Sequence, residues 1–504
     1  MRLDQLLQAA DIGYRSEAPP NLDILSICDD SRRVTPGSLF IVRRGSAADG
    51  AAYVHDAIAR GAVAVVSQES LELTVPRVIV SDVAIAAPKL AHAFYGFPAR
   101  SLKVVGITGT NGKTTTAYLL RHLLNASGIK CGLIGTVEID DGNYCVESEM
   151  TTPGAIELAG LLARMRDHGC QAVAMESSSH ALDQQRDAEI HYAAAGFTNL
   201  TGDHLDYHKT MENYADAKAR LFTSLDEKAV GVVNGDDMWS PRIVAGCKAR
   251  VIRYTIEDVS QASALGEYRA TDISIDASGT RFAIHSRHES AAVNMRLVGR
   301  HNIQNAMTAA TIAVEAFGLK LDSVADALAT AQGAPGRLQT VNNSHKPKLS
   351  ILVDYAHTDD ALENVLNALR PLTRGKLRVV FGCGGDRDRT KRPRMAAIAK
   401  RLGDAVYVTS DNPRSEDPNK IIGDILSGLG ADDRETIVVE PDRRKAIFRA
   451  IDDADEQDVV LIAGKGHEKY QIVGGKRLHF DDVEEAQQAS ANATPTETGH
   501  SSSN

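Results

Sequence analysis

The chain lacks any paired cysteine framework. Its six cysteines, Cys28, Cys131, Cys145, Cys170, Cys247 and Cys383, are scattered and form no CxxC. That argues against a stapled secreted scaffold and predicts reduced, buried thiols in a cytosolic protein. No apolar run approaches the ~18 residues that mark a membrane helix. Met1-Arg2-Leu3-Asp4-Gln5 leads into a polar-apolar mix without the apolar centre of a signal peptide. No internal repeat of roughly 20–50 residues is present, which argues against a solenoid. Positive charge is in deficit too: 56 Lys and Arg against 66 Asp and Glu leave a net −10. Such a surface repels nucleic acid unless a local basic patch overrides it.

What remains is an ordinary globular composition, 43% hydrophobic and 24% charged over 504 residues. It excludes a mostly disordered chain, a collagen-like fibre and a coiled-coil rod. At ~150 residues per domain, the length predicts about three domains. Two joints dense in Pro and Gly divide it, Tyr95-Gly96-Phe97-Pro98-Ala99-Arg100 and Gly333-Ala334-Pro335-Gly336-Arg337. The expected domains are therefore residues 1–97, 98–334 and 335–486, with a disordered tail at 487–504. A long Ala-rich helical stretch is expected over about 302–331, ending at the second joint.

The middle piece alternates short apolar runs with helical patterns, as βαβ units do. Residues 102–105, 172–175 and 230–233 read as buried parallel strands, and 268–297 as a small antiparallel addition. The last piece repeats the habit at 351–353, 379–381, 406–408, 437–439 and 459–462. Ligands of open α/β sheets sit beyond the carboxyl ends of the strands. Here those ends carry Asp354, the turn at 382–386, Asp411 and Gly464.

Gly106-Ile107-Thr108-Gly109-Thr110-Asn111-Gly112-Lys113-Thr114-Thr115 follows a strand and opens a helix. Glycines let backbone N–H groups curl around phosphate oxygens, Lys113 reaches the outer phosphates, and Thr114 can hold Mg²⁺. The strict GxxxxGK[ST] template fails at one place, where Ile107 replaces its first glycine. No NKxD segment is present to read guanine, so ATP is favoured over GTP. A phosphate loop alone leaves a hydrolase, a kinase and a ligase open.

Further segments separate them. Met175-Glu176-Ser177-Ser178-Ser179-His180, Thr198-Asn199-Leu200, Asp203-His204-Leu205-Asp206-Tyr207-His208, Gly299-Arg300-His301-Asn302, Gly336-Arg337, Asp354-Tyr355-Ala356-His357 and Gly464-Lys465-Gly466-His467-Glu468 follow in order. With GTNGKTTT they resemble the signature of the Mur ligase family, ATP-dependent amide-forming enzymes of peptidoglycan synthesis. The resemblance spans 106–468 and is weaker in the first hundred residues. It implies an α/β fold in three domains: an N-terminal UDP-sugar domain, a central P-loop ATPase-like parallel sheet and a Rossmann-like C-terminal domain. Within the family the likeness is to the member that adds the third peptide residue to UDP-N-acetylmuramoyl-L-Ala-D-Glu. That implies a cytoplasmic monomer supplying cell-wall precursors for cell shape and division, with no nucleic-acid or membrane partner.

The resemblance also implies site residues. ATP would meet Gly109 to Thr115, Asn302, Arg337 and Asp354. Catalysis would rest on Lys113, Glu176, His204 and Lys218, and Mg²⁺ on Thr114, Glu176, His204 and Lys218 carrying an N6-carboxylate. On its own Lys218 reads as a solvated helix lysine. His204 and His208 stand at i, i+4 but lack the Glu of HExxH, and a place in a helix-capping loop suits His208 better than His204. The UDP-dipeptide would meet Ser31, Thr151, Thr152, Ser178, Gln184 and Arg186. The stretch 43–48 departs from the family's UDP pattern.

Asp411-Asn412-Pro413-Arg414 alone is a weak turn signal. In this context it resembles the motif of the meso-diaminopimelate-adding members. Diaminopimelate differs from lysine by one distal carboxylate, and arginine binds carboxylates through two parallel hydrogen bonds. Arg387, Gly464 and Glu468 complete the implied set, with Glu468 pairing the distal ammonium. The basic loop 386–394 lacks interleaved aromatics, and its other charges are expected to be solvated. A lysine-adding relative, a folylpolyglutamate synthase or an ATPase without ligase activity are the alternatives.

Overall fold

The computed structural model describes residues 1–16, 19, 21–43, 50–256, 267–276, 279–343 and 349–492. Most of the divergent stretch 43–48 lies outside the described residues. The chain divides into two compact units: 1–270 with 285–289 and 304–324, and 271–284 with 290–303 and 325–504.

The first unit holds two sheets. The N-terminal one runs Tyr14–Ser16, Arg77–Val80, Ala62–Ser67, Ser38–Ile41, Ser26–Cys28, parallel except for its first pair. Helices Leu3–Ala9 and Val83–Phe94 close its core with Leu6, Leu7, Leu90 and Ala91. The larger sheet has the parallel order Arg250–Thr255, Val230–Asn234, Tyr192–Phe197, Lys103–Thr108, Ala172–Glu176, Cys131–Ile134. Its strands are apolar almost throughout because helices such as Lys113–Ala126 and Met211–Thr223 pack on them. Lys103–Thr108 lies in the middle, with later strands added on both sides. That reversal of order opens a crevice at its carboxyl end.

The second unit is built on Gln339–Thr340, Ser350–Asp354, Val459–Ala463, Leu377–Phe381, Ala405–Val408 and Val438–Val439 in that spatial order, parallel except at the first pair. A hairpin, Tyr470–Val473 with Lys476–His479, stands at the carboxyl ends of these strands. The strands Tyr268–Asp276, Gly279–His285 and Ser290–Met295 are consecutive neighbours with alternating burial.

Several expectations need correction. The Ala-rich stretch is two helices, Arg300–Phe317 and Leu321–Thr330. Gly318 interrupts it in the left-handed region, at φ +70°. Residues 487–492, expected in the tail, belong to helix Asp482–Asn492, anchored by buried Ala486 and Ala489. Residues 493–504 lie outside the described set. Cys145 is exposed and Cys247 half-buried, against the expectation of buried thiols. In the basic loop, Arg392 is fully buried, bonded to Glu416 and Asp424.

Candidate active site

The phosphate loop connects Lys103–Thr108 to helix Lys113–Ala126. Ile107, the departure from the template, is a buried strand residue; the turn begins after it. Gly109 and Gly112 have φ of +147° and +86°. A Cβ at Gly109 would collide with the Thr198 hydroxyl, and one at Gly112 with the Asn305 amide oxygen. The segment Thr198-Asn199 cradles the loop: Thr110 N–H donates to Asn199 O at 2.8 Å, and Thr198 Oγ1 donates to Asn111 O at 2.6 Å. Lys113 Nζ donates to the carbonyls of Gly109 (2.9 Å) and Thr110 (2.7 Å). Thr115 is buried in the first turn of the helix. The helix N-terminus adds its partial positive charge, so the loop is built for an anion.

Glu176, 1% exposed, ends the neighbouring strand. Thr114 Oγ1 donates to its Oε2 at 2.9 Å, and Thr136 donates through N–H at 2.8 Å and Oγ1 at 3.0 Å. Thr136 carried no sequence signal; it belongs to no motif and matters only because the fold brings it over Glu176.

Lys218 is also 1% exposed, unlike the solvated helix lysine its neighbours alone suggest and in keeping with the inward-facing position the resemblance implies. Helix Met211–Thr223 turns it inward, where Nζ donates to Gly109 O at 2.8 Å and lies 4.4 Å from the centre of the Tyr214 ring. Burial, then the nearby Lys113 charge, push its amine well below the ordinary lysine range, against a weaker pull from Asp203. His204 is exposed, at φ +54°, and caps the short helix Leu205–His208 by its backbone. The capping place is thus His204's; His208 is buried, its Nε2 3.0 Å from Ser179 Oγ. The His204 ring lies 4.9 Å from His180 and 6.2 Å from Tyr214.

Among the described residues, no three His, Cys, Asp or Glu side chains converge on one point. The paired oxygens of Thr114 and Glu176 nonetheless suit a hard ion that keeps waters and takes its remaining ligands from phosphates. Lys218 suits it only once its amine has been converted to an anion.

A cavity of about 900 Å³ in the same unit is lined by Ser31, Arg32, Arg43, Gln184 and Arg186, among others. It gathers three of the six residues expected to hold the UDP-dipeptide. The other three lead inward from it. Arg186 donates to Thr152 O at 3.0 Å; Thr152 Oγ1 donates to Glu176 O at 2.7 Å and Ser178 Oγ at 3.3 Å. Thr151 Oγ1 stands 3.0 Å from Thr136 Oγ1. Burial and then the Arg43 charge lower the Arg186 pKa, while Arg43 and Arg32 on the same wall are ion-paired with Asp29 and Asp30.

The second unit carries the remaining expected residues. Asn302 is buried, its Nδ2 donating to Val298 O at 2.9 Å. Asp354 accepts from Leu338 N–H (2.7 Å) and Ala356 N–H (2.9 Å). Burial raises its pKa, and Arg337, stacked 5.1 Å from the Tyr355 ring, opposes that rise.

At the carboxyl ends of Ala405–Val408 and Val459–Ala463, Asp411, Asn412, Gly464 and Glu468 come together. Asn412 Nδ2 donates to Glu468 Oε2 at 2.7 Å. A Cβ on Gly464 would stand 2.9 Å from Asp411 Oδ2. Arg414 follows Pro413 at φ +53°, clamped by its N–H to Ile472 O at 2.9 Å, with Nη1 donating to Gly385 O at 2.7 Å. Arg387 is exposed. Lys465, quoted within its motif but given no role, is fully buried between Asp411, Asn412 and Glu468.

Comparison with known proteins agrees with this layout. The profile of the Mur ligase middle domain matches residues 107–313, that of the Mur ligase glutamate ligase domain 336–466, and that of the Mur ligase family catalytic domain 23–95. The UDP-N-acetylmuramoyl-L-alanyl-D-glutamate–2,6-diaminopimelate ligase of Thermosynechococcus vestitus is 43% identical over 97% of this chain and 98% of its own. The enzyme of that name from Gloeobacter violaceus is 44% identical over the same shares. A solved structure of a ligase of that name superposes with a TM-score of 0.71 at 33% identity, covering 97% of this chain and 99% of that one. With three such matches in order along a three-domain α/β architecture, the chain belongs to the Mur ligase family.

Proposed function

We propose that the protein is an ATP-dependent ligase joining meso-diaminopimelate to UDP-N-acetylmuramoyl-L-Ala-D-Glu, as a step of cytoplasmic peptidoglycan precursor synthesis. The relatives' activity supports the reaction class. The observation that carries the choice of amine is the grouping of Arg414, Asn412 and Glu468 at one sheet end. It offers a cation for a distal carboxylate and an anion for the adjacent ammonium. We assign the UDP-sugar to residues 1–97, ATP to 98–334 and the amino acid to 335–486, in a monomer.

An amide cannot form from a free carboxylate without a better leaving group. In this reading the γ-phosphoryl group of ATP passes to the substrate carboxylate, giving an acyl phosphate. The amine attacks its carbonyl carbon and phosphate leaves from the tetrahedral intermediate. The chain's task is to hold several anions together. Lys113 and the loop N–H groups take the outer phosphates, Arg186 the dipeptide, and Asn302, Arg337 and Asp354 the nucleotide. Thr114, Glu176, His204 and Lys218 would hold Mg²⁺, which when bound neutralises phosphate charge. Lys218 enters that set as its N6-carboxylate: a neutral amine attacks CO₂ and loses a proton, and burial of Lys218 favours the neutral form.

The test is phosphate release from ATP with a panel of amines. Release must require Mg²⁺, the UDP-dipeptide and diaminopimelate together, with lysine much poorer. Arg414→Ala should lose about 2 kcal/mol, roughly 30-fold, toward diaminopimelate and little toward lysine. Equal wild-type rates with both amines would overturn the assignment of Arg414, and ATP turnover without either substrate would overturn the ligase.

A further inference from the structure

Lys465 has a setting that the reaction as drawn leaves unused. Its side chain is 0% exposed, at the turn following Val459–Ala463. Nζ lies 3.3 Å from Asn412 Oδ1, 3.5 Å from Glu468 Oε2 and 3.9 Å from Asp411 Oδ1. Asn412 is thereby fixed from both ends. Its Oδ1 accepts from Lys465 and from Ile472 N–H at 2.9 Å, and its Nδ2 donates to Glu468 Oε2 at 2.7 Å. The acceptor bonds settle which end of the amide faces Glu468. The same Glu468 oxygen receives both the amide and the ammonium, which leaves Oε1 for an incoming group.

Charge points the same way. Asp411 and Glu468 are two carboxylates at one partly buried turn, their side chains 9% and 18% exposed. Like charges this enclosed repel one another. An enclosed ammonium among them offsets that repulsion without occupying the open side. Without it, the Glu468 carboxylate would keep only the Asn412 amide as a side-chain partner among the described residues and would be held less firmly.

We propose that Lys465 is a positioning residue for the amino-acid substrate, holding Asn412 and Glu468 in the arrangement that receives the distal ammonium. This rests on the diaminopimelate reading of the site. Lys465 is enclosed behind Asn412 and Glu468, so it acts through these two neighbours on amine binding rather than on phosphoryl transfer.

The test compares steady-state kinetics of the full chain with Lys465→Met, Glu468→Gln and the double variant. Lys465→Met should raise the KM for diaminopimelate about tenfold or more, with kcat and the KM values for ATP and the UDP-dipeptide within about threefold. In the double variant the KM effect should match that of the more damaging single change, because both act on one contact. An unchanged KM for diaminopimelate, multiplicative effects in the double variant, or equal losses for all three substrates would overturn the proposal. Should Lys465→Met lack a cooperative thermal transition, Lys465→Gln, which keeps a donor, carries the same expectations and the same refutations. If the wild-type enzyme fails to use diaminopimelate at all, the functional reading falls before Lys465 is reached.

Discussion

Two buried bases at the residue scale respond to burial in different ways. Lys218 is stripped of water beside the Lys113 charge, so its neutral amine is favoured and carboxylation becomes accessible. Lys218→Arg keeps the positive charge and cannot form the carbamate; it should lose ~10²-fold or more in kcat, the order seen when one electrostatic contact to a transition state is removed. Lys218→Ala should recover part of its activity in high bicarbonate if a free carbamate can substitute. Full activity in Lys218→Arg would remove the carbamate from the mechanism. His92 has no such use. It is 1% exposed, its two ring nitrogens have no hydrogen-bond partner among the described residues, and burial, then His191 and Arg100, hold its pKa down at about 4. Unfolded, it would take a proton near 6.5, so between pH 6.5 and 4 the unfolded chain binds more protons and stability falls with pH. The loss amounts to about 3 kcal/mol at the acid end of that window. Urea melts at pH 7 and pH 4.5 should show His92→Leu losing less than the wild type; identical losses would mean His92 does not titrate as described. Neither setting was legible from local composition, and only the family resemblance singled out Lys218. The polar neighbours of Lys218 in Tyr214-Ala215-Asp216-Ala217-Lys218-Ala219-Arg220 give no sign that this turn of the helix faces a loop 109 residues away.

Elements recover better from sequence when their signals are local. The phosphate loop, the parallel strands at 103–108, 172–176 and 230–234, and four of the strand ends in the C-terminal piece could be read from apolar runs and glycines alone. The N-terminal sheet and the break at Gly318 were not read, since short mixed strands and a single glycine in an Ala-rich stretch look like noise without their partners. The C-terminal helix is the instructive failure. Its polar second half, from Gln487, reads as tail, yet its first residue, Asp482, forms a two-toothed ion pair with Arg443, both side chains 0% exposed. Arg443 also donates to Ser410 O and Ala463 O, the carbonyls just before Asp411 and Gly464. Helix and amino-acid turns therefore share one guanidinium. Asp482→Asn leaves that charge buried and half-satisfied, which should cost about 3–5 kcal/mol. The double change Arg443→Met with Asp482→Leu should cost markedly less, because it removes the buried charge along with its partner. Chemical denaturation of the three variants decides; a double variant as unstable as Asp482→Asn would mean packing, not charge, ties the helix to the turns.

For the whole molecule the net charge of −10 poses a problem that composition could not resolve, because two of the three proposed substrates, ATP and the UDP-dipeptide, are anions and the third presents two carboxylates. The answer is one of range. At physiological ionic strength fields between exposed charges fade over ~8 Å, so a distant acidic surface barely reaches a ligand within a cleft. Cations lining each site act across a few ångströms and in a lower dielectric: Arg186 at the 900 Å³ cavity and Lys113 at the phosphate loop of the first unit, and Arg414 at the amino-acid turn of the second. Local arrangement should thus outweigh total charge. Replacing the exposed Asp322, Asp326 and Asp432 with Asn would move the net charge by three units toward zero and favour anions everywhere outside the protein. KM for the UDP-dipeptide should nonetheless stay within about twofold at 0.15 M salt. Arg186→Gln changes the total by only one unit in the unfavourable direction, yet it removes a charge-assisted donor from the cavity wall. It should raise that KM ~10-fold or more, with the KM for diaminopimelate unchanged. Steady-state titrations of both variants at two salt concentrations distinguish the possibilities. If the surface variant shifts KM as strongly as Arg186→Gln, the long-range field governs capture and the cavity cations do not.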